Sequence, residues 1–355
     1  MIALLAPTQR RPVRFTLHIL AALALGAARL VAEPVLLPPP GYGARALYRS
    51  TDGPIYAFWS EPDGALFLAE GSVVRRVDSD GARRDLYAGP APLFPAALRR
   101  SGTALVVGAS ATGELVRLDA DGPAGQSPVS LAPAPGIYDF EEEAPGVWLT
   151  SANPAPFPGA DNWIGRVALA GPSITMLVHA GGYSGPIALD TGGNLYYGTP
   201  DFSSGQLFRI PAADLIAPAV PIELASLVPL LVGLPAATDL AIDTDPLPDL
   251  FLASFEGRLL QIDESLAVTD FGQLLGATPG NLQFVPGPGR FEPGPDRGGR
   301  LLVSATDWAE GVSVVYAVYP VPEPGPAPLC SLGLALAALA AAARRPRAPN
   351  LPKRR

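Results

Sequence analysis

Five polar residues stand at, or just before, the start of short apolar segments: Asp52, Asp139, Ser184, Asp239 and Asn281. Three carboxylates and an amide are hard oxygen donors, suited to calcium or magnesium rather than to a softer metal. Other chemistries have little to draw on. Zinc sites use cysteine and histidine, and the one cysteine, Cys330, lies close to the C-terminus. Of the two histidines, His18 lies near the N-terminus, which leaves His179 as the one candidate for a Ser-His-Asp base. It follows the apolar run Ile174–Val178 and precedes Ala180-Gly181-Gly182, so it is expected to be a surface histidine at a strand end. Glu141, Glu142 and Glu143 point in alternating directions if they lie on a strand, and are expected to be solvated. Trp163 and Trp308, beside Asp161-Asn162 and Asp307, could stack on sugar rings; filling space between structural units is the expected role.

The elements that carry these residues recur. A turn containing Gly or Asp precedes an apolar strand, and a second strand follows, ending in Arg-apolar-Asp or a variant of it. The turn residues fall at 64, 102, 146, 193, 249 and 299, with spacings of 38, 44, 47, 56 and 50. A period in the forties built of strands fits β-propeller blades of four antiparallel strands. The strand before each turn is then innermost: 55–58, 95–98, 137–140, 186–189, 239–242 and 281–284. Outer strands are expected at 84–87, 130–131, 173–177, 222–224 and 267–271. The sixth unit lacks an outer strand, because proline-rich sequence follows Tyr319, while Ala44–Ser50 belongs to no unit. Lending that N-terminal strand to the last blade closes the ring and hides both edges. The fold class is therefore all-β, a six-bladed propeller over residues 33–320; seven blades, one of them degenerate, is the alternative count. Arg76, Arg117, Arg166 and Arg209 are expected to pack between blades and tie loops. The Asp-Gly pairs at 80–81 and 121–122 are expected to be hairpin turns.

The two ends have a different character. Arg10, Arg11 and Arg14 precede an apolar stretch, Phe15–Ala28, with small residues after it. That is the layout of a secretory signal peptide over residues 1–32, cut after Ala28 or Ala32. A twin-arginine signal and an uncleaved anchor are the alternatives. At the other end stand Pro322-Glu323-Pro324, an apolar run from Leu329 to Ala343, and a basic tail from Arg344 to Arg355. The run's 15 residues would form a helix of roughly 22 Å, long enough to lodge in a bilayer of ~30 Å with its arginines on the cytoplasmic side. This order resembles the PEP-CTERM sorting signal of exosortase substrates, over residues 321–355. The resemblance implies export, transient anchoring in the inner membrane, and processing by an exosortase-type protease at Pro322, Glu323 and Pro324. The destination implied is the cell surface or an extracellular matrix.

Loss of both ends removes four arginines from residues 1–32, and six basic residues and Glu323 after Pro322. That leaves 15 basic against 32 acidic residues, a net charge of −17. Such a surface repels nucleic acid and acidic polysaccharide. About 290 residues bury an adequate core without disulfides.

The Arg-apolar-Asp rhythm of residues 63–81 and 101–122 resembles the NHL and SMP-30/gluconolactonase-like six-bladed propellers. SMP-30-like lactonases hold one divalent metal through Glu, Asn and Asp. Asp52-Gly53-Pro54 looks like that family's Glu-Gly-Pro with a shorter acid, and Asp239 and Asn281 stand where the other ligands would come from. The resemblance therefore implies a calcium site at Asp52, Asp239 and Asn281, requiring convergence within ~5 Å and oxygen–metal distances of about 2.4 Å. The sequence around Asp239 and Asn281 departs from the family's motifs, so no catalytic residue carries over. Two readings result. One is an exported, non-catalytic binding scaffold at the surface, with exopolysaccharide or surface proteins as partners. The other is an extracellular metal-dependent hydrolase or lyase.

Overall fold

The computed structural model describes residues 33–321, apart from 51, 90–92, 155–159, 169–170, 217, 244–247, 289 and 294–297. The expected signal peptide, the Pro322-Glu323-Pro324 motif and the apolar run near the C-terminus all lie outside the described residues. Among the described residues, no helix is long and apolar enough to cross a membrane.

Six sheets form six blades. From the innermost strand outward, blade one has Ile55–Ser60, Leu66–Glu70, Val73–Val77 and Arg83–Tyr87. Blade two has Pro95–Ser101, Ala104–Ala109, Glu114–Asp119 and Val129–Pro133. Blade three has Ile137–Ala144, Val147–Ala152, Trp163–Ala168 and Gly171–His179. Blade four has Ile187–Leu189, Leu195–Gly198, Gly205–Ile210 and Leu231–Leu234. Blade five has Ala237–Ile242, Leu250–Ser254, Arg258–Ile262 and Val268–Leu275. Blade six has Thr278–Val285, Arg300–Asp307 and Val312–Pro320 from the end of the domain. Its outer strand, Tyr42–Ser50, comes from the beginning and pairs antiparallel from Tyr42↔Pro320 to Ser50↔Ser313. The ring thus closes by the N-terminal strand that the repeat leaves over.

The core follows from strand alternation. Side chains on either side of each blade pack into six apolar clusters, one in each interface between neighbouring blades. The cluster between blades six and one joins Tyr48, Val285, Leu302 and Val315 to Ile55, Phe58 and Leu68, so closure is sealed by side chains as well as by backbone. Aromatic rings dominate between blades five and six, where Phe251, Phe271 and Phe291 lie 5.0 to 5.8 Å apart.

Because the strands alternate in direction, all innermost strands begin on one face of the disc, the upper face. The strand Val312–Pro320 ends on the lower face, where the Val321 N–H donates to Gly41 O. Lower-face turns are closed by aspartates: Asp63, Asp80 and Asp119 each accept the N–H two residues on, at 3.0, 2.9 and 3.0 Å. Gly64 takes φ +92° in one of these turns, a conformation other residues rarely adopt. One strand arginine ties loops across blades as expected, and a second pairs within its own blade. Arg76 binds Asp78 and crosses to Ala120 O and Asp121 of blade two, and Arg166 grips both oxygens of Glu143.

Three features depart from expectation. The outer strand of blade four is Leu231–Leu234, not 222–224. Ile222–Glu223 instead pairs in parallel with the outer strand of blade three, at Val178↔Ile222 and His179↔Glu223. A short helix, Ala212–Leu215, precedes it, and the whole insertion accounts for the longest spacing in the repeat. Finally, Val35–Leu37 adds a fifth strand to blade five, with Leu36 buried and the Pro34 carbonyl accepting from the Tyr316 hydroxyl.

Removing residues 34–50 should expose Leu302 and Val315 along an unpaired edge. The truncated domain is expected to lose its cooperative thermal transition and to aggregate, which thermal melting and size-exclusion chromatography will measure.

Candidate functional site

The innermost strands of blades one, two, three, five and six each carry a register shift near their start: Ile55/Ala57, Pro95/Ala97, Ile137/Asp139, Ala237/Asp239 and Pro279/Leu282. A bulge re-aims the side chains around it. Among these strand starts lies a cavity of about 170 Å³ at the upper end of the axis, lined among others by Tyr56, Tyr138, Asp139, Thr238, Asp239 and Asn281. The Tyr138 hydroxyl reaches from blade three to blade five and donates to Thr238 O at 2.8 Å.

The two aspartates act as cross-blade staples. Asp139 Oδ2 accepts the Ile187 N–H of blade four at 3.0 Å, while Oδ1 accepts Phe140 N–H at 2.8 Å and Arg99 Nη2 at 3.2 Å. Asp239 Oδ2 accepts the Leu282 N–H of blade six at 2.5 Å, and its Oδ1 accepts Leu240 N–H at 2.8 Å. Arg99, from blade two, also donates to Glu141 Oε1 at 2.6 Å and lies over the rings of Trp59 and Phe140. Burial pushes the Asp139 carboxyl up to about 6, against the opposing pull of Arg99. Burial, and then the charge of Asp139, hold the Asp239 carboxyl well above the usual range. Burial alone would lower Arg99, but Glu141 and Asp139 keep the guanidinium charged.

Of the three residues expected to gather around calcium, the fold brings Asp239 and Asn281 to this cavity. Asp52 is outside its lining, 61 % exposed, and binds Arg75 Nη1 at 3.2 Å. That arginine also serves Asp85 and the buried Glu70, which accepts from the Tyr48 hydroxyl. Calcium takes six to eight oxygens. Here the carboxylate oxygens already accept N–H groups, and the side-chain oxygens without a partner are Asn281 Oδ1 and Thr238 Oγ1. As arranged, the donor set does not suit that ion. Among the described residues, no group of three His, Cys, Asp or Glu side chains is placed to hold a metal.

Sequence reasoning missed Arg99, Tyr138 and Thr238. Arg99 was legible in one respect: it falls two residues after Ala97 in an innermost strand, on the side that faces blade three. His179 is more than a strand-end residue. Nε2 meets Asp161 Oδ1 and Nδ1 meets Glu223 Oε2, each at 2.7 Å, and the ring stacks on Trp163 at 4.3 Å. Glu223 and Asp161 raise the imidazole above its usual 6.5. Asp161 is lowered by the Trp163 N–H and then by His179. The histidine thereby clamps the inserted strand of blade four onto blade three.

A closed ring of six four-stranded blades around a polar, side-chain-filled axis defines a six-bladed propeller. Solved structures with this fold include a luciferin-regenerating enzyme, with TM-score 0.56 and 15% identity, covering 80% of this chain and 96% of that one. A gluconolactonase from Xanthomonas campestris gives 0.53 and 14%, covering 81% and 94%. A catalytically inactive virginiamycin B lyase from Staphylococcus aureus, solved with quinupristin, gives 0.51 and 12%, covering 79% and 100%. The resemblance to SMP-30/gluconolactonase-like propellers thus holds for the fold. No protein-family description matches the chain, and no curated protein is significantly similar to it.

Two predictions follow from the titrating groups. The folded-state value of Asp139, raised above the ~3.9 of an unfolded aspartate, means that its contribution is complete below about pH 4. It is lost as the pH rises through about 6. Asp139→Ala should cost about 2 kcal/mol through the orphaned N–H groups. The gap from wild type should be widest near pH 4 and narrow toward neutrality, as read from urea midpoints. For His179, also raised, the clamp is complete below about pH 6.5 and weakens as the pH climbs through the folded-state value. Proton NMR of this histidine should give a midpoint above 6.5, and Glu223→Gln should lower it.

Proposed function

We propose that this chain is an exported, non-catalytic surface or matrix protein whose propeller is a binding scaffold. Residues 1–32 direct export. The run Leu329–Ala343 lodges transiently in the inner membrane, and an exosortase-type protease processes the chain at Pro322-Glu323-Pro324. The propeller is then retained at the cell surface or in extracellular polysaccharide.

The observation that carries the non-catalytic part is the use of Asp139 and Asp239. Both are spent on N–H groups of neighbouring blades, so they hold the ring together rather than reach toward a substrate. The acidic balance supports a partner that is not an acidic polymer.

A second reading, an extracellular divalent-metal-dependent hydrolase or lyase, draws on one observation. Asn281 Oδ1 and Thr238 Oγ1 line the cavity beside Asp239 without partners.

Two measurements separate them. Calorimetry of the 33–320 domain should give no saturable heat with millimolar calcium, and a screen of lactones and sugar acids should give no turnover. A saturable site lost in Asp239→Asn, with turnover, would establish the enzyme instead. In an exosortase-bearing host, an epitope placed after Arg355 should be lost from the surface form and kept when Pro322 and Glu323 are changed to alanine.

A further inference from the structure

We infer that the upper face binds an uncharged polysaccharide strand, laid along an aromatic track that crosses the axial cavity; this rests on the binding-scaffold reading above. Tyr56, Phe255 and Trp308 line the cavity. Tyr56 lies 6.0 Å from Trp308 on one side and 6.2 Å from Phe94 on the other. Phe255 lies 5.0 Å from Phe202. Phe202 in turn lines a second groove, of about 550 Å³, together with Tyr183.

These six aromatics are far apart in sequence. Phe94 precedes blade two and Tyr183 precedes blade four. Phe202, Phe255 and Trp308 occupy the turns between the second and third strands of blades four, five and six. Isolated exposed rings need no explanation, but rings gathered by separate loops onto one face form a patch. Trp308 is 58 % exposed, Tyr183 57 % and Phe202 74 %. Phe94, a bulky residue, is held at φ +42°, a conformation that surrounding structure must enforce.

What lies at the middle of the track identifies the ligand. Thr238, 7 % exposed, and Asn281 present buried oxygens without partners in the cavity lining. A buried polar atom left unmatched is costly, and ligand hydroxyls in the cavity would offer each oxygen a partner once its side chain turned toward them. Aromatic faces beside hydroxyl-seeking oxygens suit a pyranose ring, which has an apolar C–H face and a polar edge. Two adjoining hollows joined by the Phe255–Phe202 pair accommodate more than one ring, hence a polymer. The charge excludes anionic chains: Asp201 lines the second groove, Glu256 follows Phe255, and Glu310 lies two residues from Trp308.

The test is affinity electrophoresis of the mature protein through gels containing cellulose-derived glucan, starch-type glucan, xylan or galactomannan, with alginate as the anionic polymer. At least one neutral polymer should retard migration, and alginate should not. Trp308→Ala and Phe255→Ala should each weaken retardation about tenfold, as for loss of one stacked ring. Both variants should keep the wild-type circular dichroism. Val268→Ala, on the outer strand of blade five, should bind as wild type. Free migration in every neutral gel, retardation unmoved by both aromatic substitutions, or retardation by alginate alone would overturn the inference. Its failure is separable from that of the scaffold reading. A protein processed and displayed that ignores neutral glycans defeats only the ligand assignment. One that binds a glycan through Trp308 but also cleaves it defeats only the non-catalytic reading.

Discussion

Closure of the ring by the strand Tyr42–Ser50 is the constraint on which everything else in the propeller depends. A curved array of sheets has two free ends, and each would be an exposed apolar face bordered by unpaired backbone. Joining them lets the sixth interblade cluster form, with Tyr48 from the beginning of the domain packed on Val315 and Ala317 from its end. Hydrogen bonds follow the same seam. The Ile55 N–H finds Ser313 Oγ, and both the Ser60 N–H and Ser60 O engage the Gln283 amide. Such contacts close the longest loop in the domain, so they form against the largest chain entropy.

Within the closed ring, the axis is filled by polar groups that answer one another. Arg99 would be expensive to bury alone; Asp139 and Glu141 offset it, and Asp139 is in turn held by the N–H groups of Phe140 and Ile187. The arrangement works as a unit because blades two and three are joined through Arg99, three and four through Asp139, and five and six through Asp239. It also explains why two buried carboxylates need not signal catalysis. A shifted ionisation shows that a group is desolvated, and here geometry assigns the oxygens to the frame.

The period of turns and strands made the blade count, the innermost strands and the closing strand legible, because each rests on local alternation and on an unmatched segment. The blade-four insertion was less readable. Ile222–Glu223 has the composition of a strand, and its parallel partner, Val178–His179, lies in another blade. Val35–Leu37 is three residues among prolines, too short for a pattern. For the axial cavity, Asp239 and Asn281 could be placed from their positions at strand starts. Asp52 could not, because its direction is set by Arg75, whose role depends on the buried Glu70 of the next strand. Likewise the aromatic face is invisible in sequence, since its rings occupy turns of unequal length in different blades.

The lower-face exit of the chain at Val321 bears on orientation. Pro320 and Val321 lie on the side opposite Trp308, Phe255 and Phe202. A propeller tethered by its C-terminal end therefore sits with its aspartate-closed turns toward the attachment point and its aromatic face outward. An attachment made through Val321 would thus leave the aromatic rings uncovered, because the two lie at opposite ends of one disc.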